Sequence, residues 1–188
     1  MGNDLEEVTC NLCQSNDYGK LYTLKDKNFV FFVVKCKRCG LVYLNPRLKQ
    51  DALKNVYAED SLSNFNYYFQ NKNLDEKTFA ARLNSLERYS AKKGSILDIG
   101  SSIGTFMSVA KKLGYEPYGI ELNEKSANYS KKQGFKLFLD LDKIKQKFNF
   151  VNLSDVLEHL PNPQNTLKKI WNLLEDEGII LISTSYML

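Results

Sequence analysis

The sequence predicts an α/β protein with a parallel sheet in its second half, preceded by a small four-cysteine module and a helical segment. Two Cys-x-x-C pairs lie within the first forty residues, apolar residues at helical spacing follow, and short apolar strands alternate with helical stretches from Gly94 onward. We therefore divide the 188 residues into a cysteine module (1–44), a helical segment (45–93) and an α/β domain (94–188).

The cysteines of the first module are candidate metal ligands. They are Cys10, Cys13, Cys36 and Cys39. Two such pairs, separated by a hairpin-length spacer, can place four thiolates at the corners of a structural zinc site. Gly40 permits the turn that directs backbone amides toward sulfur, and the stretch 28–35 is expected to form a strand. Two disulfides or a redox pair are the alternative, which a cytosolic location disfavours. The prediction is a zinc ribbon.

The composition argues against a membrane protein and against a nucleic-acid-binding protein. Hydrophobic residues make up 43% and charged residues 26% of the chain, as in soluble globular proteins. No apolar run approaches the roughly 20 residues of a membrane span. The first residues lack the basic-then-apolar order of a signal peptide, so we expect a cytoplasmic protein. The net charge is +4, but the lysines are scattered rather than clustered, which disfavours a nucleic-acid partner.

The helical segment is expected to pack its apolar side into a core. Its apolar residues at helical spacing are Phe79, Leu83, Leu86 and Tyr89. An aromatic patch at 65–69 fits either a core or a lid over a ligand, and we favour the core because aromatic side chains dominate cores generally. A later helix, starting at Pro163, is expected to bury one apolar face. That face consists of Leu167, Ile170, Trp171 and Leu174.

A glycine-rich loop and a distant carboxylate indicate a nucleoside-binding site. The strand 96–99 leads into a loop that contains Gly100 and Gly104, and a helix follows directly. Glycines allow a tight turn and a close approach to a ligand beneath the positive end of the helix. Glu121 ends the next strand about twenty residues further on, where a carboxylate can accept hydrogen bonds from a ribose diol.

Four segments resemble, in the family's order, motifs of class I S-adenosylmethionine-dependent methyltransferases. They are 96–106, 118–121, 154–163 and 178–184. The resemblance covers the chain from about residue 95 onward and implies a Rossmann-like parallel sheet of strand order 3-2-1-4-5. The family's strands 6 and 7 would be absent, because the sequence ends directly after the fifth. The cysteine ribbon is similar to the N-terminal module of a bacterial subgroup that includes sugar C-methyltransferases and enzymes of surface-glycan clusters.

The resemblance also implies which residues bind S-adenosyl-L-methionine. The matching positions are Asp98, Gly100, Ser101, Ser102, Gly104, Glu121, Leu122, Asp140 and Asp155. Asp98 and the glycine loop would hold the methionine end, and Glu121 the ribose hydroxyls. Leu122 would flank the adenine, and Asp140 would accept a hydrogen bond from its amino group. Asp155 would face the methionine amino group or the acceptor.

Two positions carry separate expectations. Ser102 stands where the family has the middle glycine of its loop; a serine is tolerable there at a negative φ, and it could donate a hydrogen bond to the carboxylate of the cofactor. His159 is the only histidine of the chain, and a histidine can take up a proton near neutral pH, which suits a general base. The alternative is that His159 caps or packs the loop after the fourth strand.

The predicted function is methyl transfer to a small molecule, with a nucleotide sugar or another glycan precursor as the favoured acceptor. The alternatives are an RNA methyltransferase, since zinc ribbons also precede such domains, and a non-catalytic cofactor-binding or zinc-binding remnant. A fifth strand without neighbours beyond it would expose unpaired backbone groups. We therefore expect self-association through that edge, and incomplete turnover.

Overall fold

The protein, described by a computed structural model, forms two structural units. The structure describes residues 4–26, 29–59 and 61–184. The first unit comprises Met1–Ala58 and Pro161–Gln164, and the second comprises Glu59–Leu160 and Asn165–Leu188. Asn28, at which the predicted hairpin strand begins, lies outside the described residues, as do residues 185–188.

The first unit is built on an antiparallel sheet that presents the cysteines. Its elements are β1 (Leu5–Glu6), β2 (Tyr18–Lys25), β3 (Val30–Cys36), β4 (Val42–Leu44), β5 (Arg47–Leu48) and helix α1 (Gln50–Glu59). The three strands β2, β3 and β4 pair in that order, and β1 pairs with β5. The strand expected before the second cysteine pair is therefore confirmed as β3. Because β3 ends at a cysteine, its backbone positions one half of the four-cysteine cluster.

A short distant segment completes the first unit. Residues 161–164 are bound by the loop that contains the first cysteine pair. The backbone N–H of Gln164 donates to Asn11 Oδ1 at 3.3 Å, and the Gln164 side-chain amide donates to the carbonyl oxygen of Leu12 at 2.9 Å. Asn11 and Leu12 lie between Cys10 and Cys13, so the conformation of this cysteine loop determines where the two oxygens that accept from Gln164 lie.

The second unit contains a five-stranded parallel sheet, which confirms the α/β class. The strands are β6 (Ser95–Ile99), β7 (Glu116–Ile120), β8 (Lys136–Phe138), β9 (Phe148–Ser154) and β10 (Leu174–Ser183). Their order is β8-β7-β6-β9-β10. If β6, the strand before the glycine loop, is counted as the first strand, it lies between the second strand, β7, and the fourth strand, β9. Within the described part of the chain, β10 pairs on one side only, with β9.

The helices of the second unit follow the predicted alternation. They are α2 (Ser61–Ser85), α3 (Thr105–Lys112), α4 (Glu124–Lys132) and α5 (Pro163–Asn172). Gly114 and Gly134, with φ of +88° and +85°, end α3 and α4 in the left-handed conformation expected of them. In the described residues, no helix has the length and apolarity required to cross a membrane.

Both faces of the parallel sheet are covered. Ile96 and Phe150 pack in a cluster with α2 and α3, whereas their neighbours Leu97 and Val151 pack on the opposite face with Ile170 of α5. This alternation follows from the two-residue period of a strand. A parallel sheet buried on both faces leaves its carboxyl edge, where the loops emerge, as the place for a ligand.

Two of the apolar residues expected in the core are exposed. Leu83 and Leu86 are buried as predicted, but Tyr89 is 76% exposed because the helical conformation ends before it, in a 3-10 turn at Leu86–Arg88. Trp171 is 72% exposed, whereas its neighbour Ile170 is fully buried. The cause is that α5 buries only the centre of its apolar stripe, and Trp171 lies at the margin of that stripe.

The aromatic patch at 65–69 forms a surface rather than a core, so that expectation is wrong. Tyr67 is 62% and Phe69 51% exposed. The rings of Phe65 and Phe69 stack with centroids 6.1 Å apart, and both meet the ring of Tyr129 edge-on. This half of α2 packs on the single helix α4, and one neighbouring helix cannot bury five consecutive residues that project all around α2.

The difference between Ile170 and Trp171 is testable. We expect Trp171→Ala to change the free energy of unfolding by no more than about 0.5 kcal/mol, as at other exposed positions. Ile170→Val removes one methylene from a filled core and should cost roughly 0.5–1.5 kcal/mol. Urea unfolding of both variants would measure the two values. A larger loss for Trp171→Ala than for Ile170→Val would contradict the packing described above.

Candidate functional site

The loop after β6 has a backbone that requires glycine at two positions. Gly100 and Gly104 have φ of +74° and +80°. A Cβ on Gly100 would also lie 2.6 Å from a methyl carbon of Val156. The backbone amides of Gly100 and Ser101 both donate to the carbonyl oxygen of Ile120 at 2.9 Å, which ties the loop to the end of β7. The predicted loop residues therefore lie together at the carboxyl edge of the sheet.

Glu121 is held against this loop by two backbone amides. The N–H of Ser102 donates to Glu121 Oε2 at 2.7 Å, and the N–H of Asn123 donates to Oε1 at 2.6 Å. Burial raises the pKa of Glu121, and these two amides act in the opposite direction. Each carboxylate oxygen has a second lone pair, so Glu121 retains the capacity to accept hydrogen bonds from a ligand.

Ser102 has φ of +46°, so the serine is accommodated without the negative φ that we took as the condition for it. This conformation turns the Ser102 N–H toward Glu121 and forms the bond described above. A left-handed conformation is costly for a residue with a Cβ. The charged hydrogen bond to a partly buried carboxylate offsets that cost.

Three hydroxyl groups of the loop and of the start of α3 are buried without a partner. The side-chain oxygens of Ser101, Ser102 and Thr105 have no hydrogen-bond partner among the described residues. Buried polar atoms of native proteins almost always have partners. Hydroxyls can donate to a carboxylate, and they lie beside the N-terminal end of a helix, which favours negative charge. This cradle fits the carboxylate end of an amino-acid-like ligand such as the methionine part of the predicted cofactor.

Asp98 lies beneath the loop rather than in the open site. It is 3% exposed, and Oδ1 accepts a hydrogen bond of 2.7 Å from the Asn152 side-chain amide. Burial raises the pKa of Asp98 to about 7, opposed by the Asn152 bond and assisted by the charge of Glu121. Burial therefore favours the protonated form of Asp98, and the Asn152 bond favours the ionised form.

Exposed leucines mark the other end of the candidate site. Leu122 follows β7 and is 86% exposed, and Leu139 follows the adjacent strand β8 and is 67% exposed. Asp140 comes next and accepts a bond from the backbone N–H of Asp142, which caps a 3-10 turn. Large apolar side chains at neighbouring strand ends suit a flat ring. Leu139 was missed from the sequence, because an apolar residue directly before a helix cap usually packs against the first turn, and no local signal predicts its exposure.

Asp155 and His159 lie beyond the carboxyl end of β9. Asp155 is exposed with φ of +53°, and its N–H donates to the carbonyl oxygen of Ser183 at 2.8 Å. His159 is exposed at the end of a 3-10 turn, Leu157–His159. The structure thus joins Asp98, the glycine loop and Glu121 through neighbouring strands, and places His159 on a separate surface turn.

Helix α2 contributes polar residues that sequence reasoning missed. Arg82 Nη1 donates to Ser154 Oγ at 3.0 Å and to Ser183 Oγ at 2.8 Å. It therefore points to the carboxyl ends of β9 and β10. Asp75 and Tyr68 precede Arg82 by seven and fourteen residues, which places all three on one side of the helix. The sequence signal that could have found these residues is their spacing: Tyr68, Asp75 and Arg82 follow one another at intervals of seven residues, or about two helical turns.

The electrostatic surroundings of these α2 residues agree with that placement. Burial raises the pKa of Tyr68, and the charges of Glu121 and Asp155 raise it further. Burial also raises the pKa of Asp75, which the Arg82 guanidinium lowers and Asp155 raises. One side of α2 therefore faces the same acidic groups as the candidate cofactor site.

Comparison with known proteins identifies the family. A family model described as a methyltransferase domain matches residues 68–186, more than half of the chain. The chain belongs to this methyltransferase family. The matched segment contains the glycine loop, Glu121 and the whole parallel sheet, so the geometry described above is that of a methyltransferase domain.

Solved methyltransferase structures share this fold at low sequence identity. The plantazolicin methyltransferase BpumL, in complex with SAH, has a TM-score of 0.55 and 18% identity over 70% of this chain and 60% of its own. CalS10, an amino pentose methyltransferase from Micromonospora echinaspora with SAM bound, has a TM-score of 0.54 and 14% identity over 59% and 51%. The sugar N-methyltransferase KedS8 from a Streptoalloteichus species has a TM-score of 0.58 and 12% identity over 65% and 53%. At these identities the likeness shows the fold alone.

The chain is shorter than the methyltransferases that it resembles. It spans 51% to 60% of the length of the three solved structures. A ubiquinone biosynthesis O-methyltransferase from Glaesserella parasuis serovar 5 (strain SH0165) is 41% identical over 39 residues, which are 21% of this chain and 16% of that protein.

The four cysteines ahead of the methyltransferase domain form a close cluster. Their sulfur atoms all lie within 4.8 Å of one another. The two nearest pairs, Cys10–Cys39 and Cys13–Cys36, have sulfurs 3.4 Å and 3.5 Å apart. A tetrahedral zinc ion with Zn–S bonds of about 2.3 Å would hold sulfurs about 3.8 Å apart. Backbone amides, that of Cys39 first, lower the pKa of the Cys36 thiol, whereas burial and the neighbouring thiols raise the pKa of Cys13 and Cys39.

Proposed function

We propose that this methyltransferase domain binds S-adenosyl-L-methionine and transfers its methyl group to a small-molecule acceptor. The observation that carries the proposal is the pairing of Glu121, which keeps free acceptor capacity, with the three unpartnered hydroxyls of the adjacent loop. Glu121 suits the ribose diol of the cofactor, and the loop hydroxyls suit the carboxylate of its methionine part. The cofactors in the printed descriptions of CalS10 and BpumL support the same assignment.

The proposed residue roles are those that the family resemblance implies, and the position of the residues at the carboxyl edge of the sheet supports them. Glu121 accepts from the ribose hydroxyls, and the loop hydroxyls donate to the methionine carboxylate. Leu122 and Leu139 flank the adenine, and Asp140 accepts from its amino group. Asp155 faces the ammonium group or the acceptor. The exposure of both leucines supports their assignment, because an apolar ring would remove them from water.

When bound, the cofactor supplies a methyl group already activated by its sulfonium. The chain's own residues therefore have three tasks, namely to align the acceptor, to exclude water and to accept one proton. His159 is our candidate for the proton acceptor, because its imidazole lies on the turn that follows Asp155.

The favoured acceptor is a nucleotide-linked sugar or another glycan precursor. Two structures of the same fold are described as methyltransferases of a sugar and of an amino pentose, which supports a small acceptor. The lysines are scattered along the sequence rather than clustered, which disfavours RNA as the acceptor.

We further propose that the N-terminal cluster binds one structural zinc ion. Four cysteines complete a tetrahedral site and leave no open position for catalysis. The sulfur separations support this assignment.

A transfer assay tests the proposed activity. Protein would be incubated with cofactor labelled in its methyl group and with cell extract separated into small molecules, RNA and protein. We expect label in the small-molecule fraction, and much less of it with Glu121→Ala when the cofactor is limiting, because that variant lacks the ribose contact. Label confined to RNA would overturn the acceptor class, and cofactor binding without transfer to any fraction would favour a non-catalytic role.

A further inference from the structure

A directed chain of hydrogen bonds connects α2 to the buried carboxylate beneath the glycine loop. Arg82 Nη1 donates to Ser154 Oγ at 3.0 Å, and Ser154 Oγ donates to Asn152 Oδ1 at 3.1 Å. The Asn152 amide nitrogen donates to Asp98 Oδ1 at 2.7 Å. Every donor points toward Asp98. The chain therefore has a positive charge at one end and a carboxylate at the other, the arrangement in which successive bonds strengthen one another.

The inner half of the chain is shielded from water. Asn152 is 1% and Asp98 3% exposed, and the two residues are direct partners in the pairing of β6 with β9. The Asn152 amide also has one favourable orientation, because a reversed amide would set its oxygen against the carboxylate. A hydrogen bond in such surroundings is electrostatically stronger than in water.

One oxygen of Asp98 remains available to a ligand. Within the described part of the chain, Oδ1 accepts from Asn152, and no hydrogen bond reaches Oδ2. The second oxygen lies at the strand end beneath the loop that we assign to the methionine part of the cofactor. The ammonium group of that part is a cation with donors to spare.

We propose that Arg82 is a positioning residue for cofactor binding, which acts through Ser154 and Asn152 to keep the Asp98 carboxylate ionised and oriented for the cofactor's ammonium group. The inference rests on the proposed function, since it assigns the cofactor to this loop. It adds a residue from a helix outside the four sequence motifs. It also gives α2 a role in the site besides packing.

The charges around Asp98 explain why a distant arginine matters. Burial opposes ionisation and raises the pKa of Asp98 to about 7, and the negative charge of Glu121 at the end of β7 acts in the same direction. The Asn152 amide of β9 donates to Asp98 and lowers its pKa, and Arg82 of α2 is connected to that amide through Ser154. The loop and the first turn of α3 contribute hydroxyls. Because the Asn152 bond lowers the pKa of Asp98, we expect loss of the chain to shift Asp98 toward the protonated form.

Titration of the ligand-free protein provides the first test. The carboxyl carbon of Asp98 would be followed by NMR with labelled aspartate. We expect Arg82→Gln to raise the pKa of Asp98 by about half a unit or more, because an opposite charge is removed. Ser154→Ala should raise it as well, since it interrupts the chain. Ser183→Ala is the matched control, because it removes the other Arg82 bond and leaves the chain intact.

Calorimetry with S-adenosylhomocysteine between pH 5.5 and pH 8 provides the second test. The product carries the same ammonium group, so its affinity for the unmodified protein should rise with pH as Asp98 ionises. In Arg82→Gln and Ser154→Ala the midpoint of that rise should move to higher pH. Arg82→Lys keeps the charge, so its midpoint should lie between those of Arg82→Gln and the unmodified protein. Lys77→Gln, which removes an exposed charge from the same helix, should leave the midpoint unchanged.

The outcomes separate this inference from the proposed function. If the unmodified protein binds no S-adenosylhomocysteine at any pH, the proposed function fails, while the NMR titration still shows whether the chain controls Asp98. If the product binds but Ser154→Ala titrates like Ser183→Ala in both experiments, the inference is overturned. Ser154→Ala decides the matter even if Arg82→Gln does not fold.

Discussion

Removal of zinc is expected to unfold the N-terminal module. Structural zinc contributes an apparent binding free energy of roughly 10–16 kcal/mol in small zinc-binding peptides. The module has little else to hold it. Among its described residues, the buried apolar side chains other than cysteines are Val33 and Val34, while Leu21, Leu24 and Val30 of the hairpin are 44% to 50% exposed. So small a core cannot offset the conformational entropy of the hairpin.

Metal analysis and circular dichroism would measure this effect. We expect one zinc per chain after purification without chelator, and loss of module β-structure when a strong chelator or Cys36→Ser removes it. Lys37→Ala is the matched control, because it changes the neighbouring residue and breaks an exposed ion pair with Asp17 at 2.8 Å. Such pairs contribute at most about 1 kcal/mol. Metal-free protein with an intact hairpin would contradict the zinc assignment.

Glu121→Ala is expected to weaken S-adenosylmethionine binding by about 1.5–3 kcal/mol, the range for hydrogen bonds to a charged group. This corresponds to a roughly 10- to 150-fold higher dissociation constant. The variant removes both carboxylate oxygens from the site and leaves the Ser102 and Asn123 amides without their acceptor. The affinity should also fall at acidic pH, because burial raises the pKa of Glu121 and protonation removes the acceptor charge.

Calorimetry would compare this variant with Glu124→Ala. Glu124 is an exposed glutamate three residues further on, in the first turn of α4, so its loss should leave the dissociation constant nearly unchanged. Glu121→Gln keeps one acceptor oxygen and should bind with intermediate affinity. Equal dissociation constants for Glu121→Ala and the unmodified protein would remove Glu121 from the cofactor site.

Local patterns accounted for much of the architecture and for the centre of the site. The two-residue and helical periodicities predicted an alternating α/β domain, since each strand and helix must bury its own apolar side. Gly100, Gly104 and Gly114 were expected at turns, and all three have positive φ. Glu121 was expected close to the loop because both follow neighbouring parallel strands, whose carboxyl ends lie at the same edge of the sheet.

Interactions between distant segments account for the departures from expectation. Ser102 adopts a positive φ because Glu121, nineteen residues later, accepts its N–H. Trp171 is exposed because the width of the core, rather than the apolar stripe of α5, decides how many side chains are buried. The aromatic patch on α2 is largely at the surface, although the rings of Phe65 and Phe69 contact Tyr129 of α4.

The sequence by itself determined the elements whose cause is local, namely the cysteine spacing, the glycine turns and the periodic strands and helices. Only the tertiary structure decided that α2 directs Arg82 to the ends of β9 and β10, and that Asn152 joins this arginine to Asp98. The physical reason is that helical spacing determines which residues lie on the same side of α2, but it does not determine which neighbouring element packs against that side. That choice depends on packing between segments about seventy residues apart in the chain.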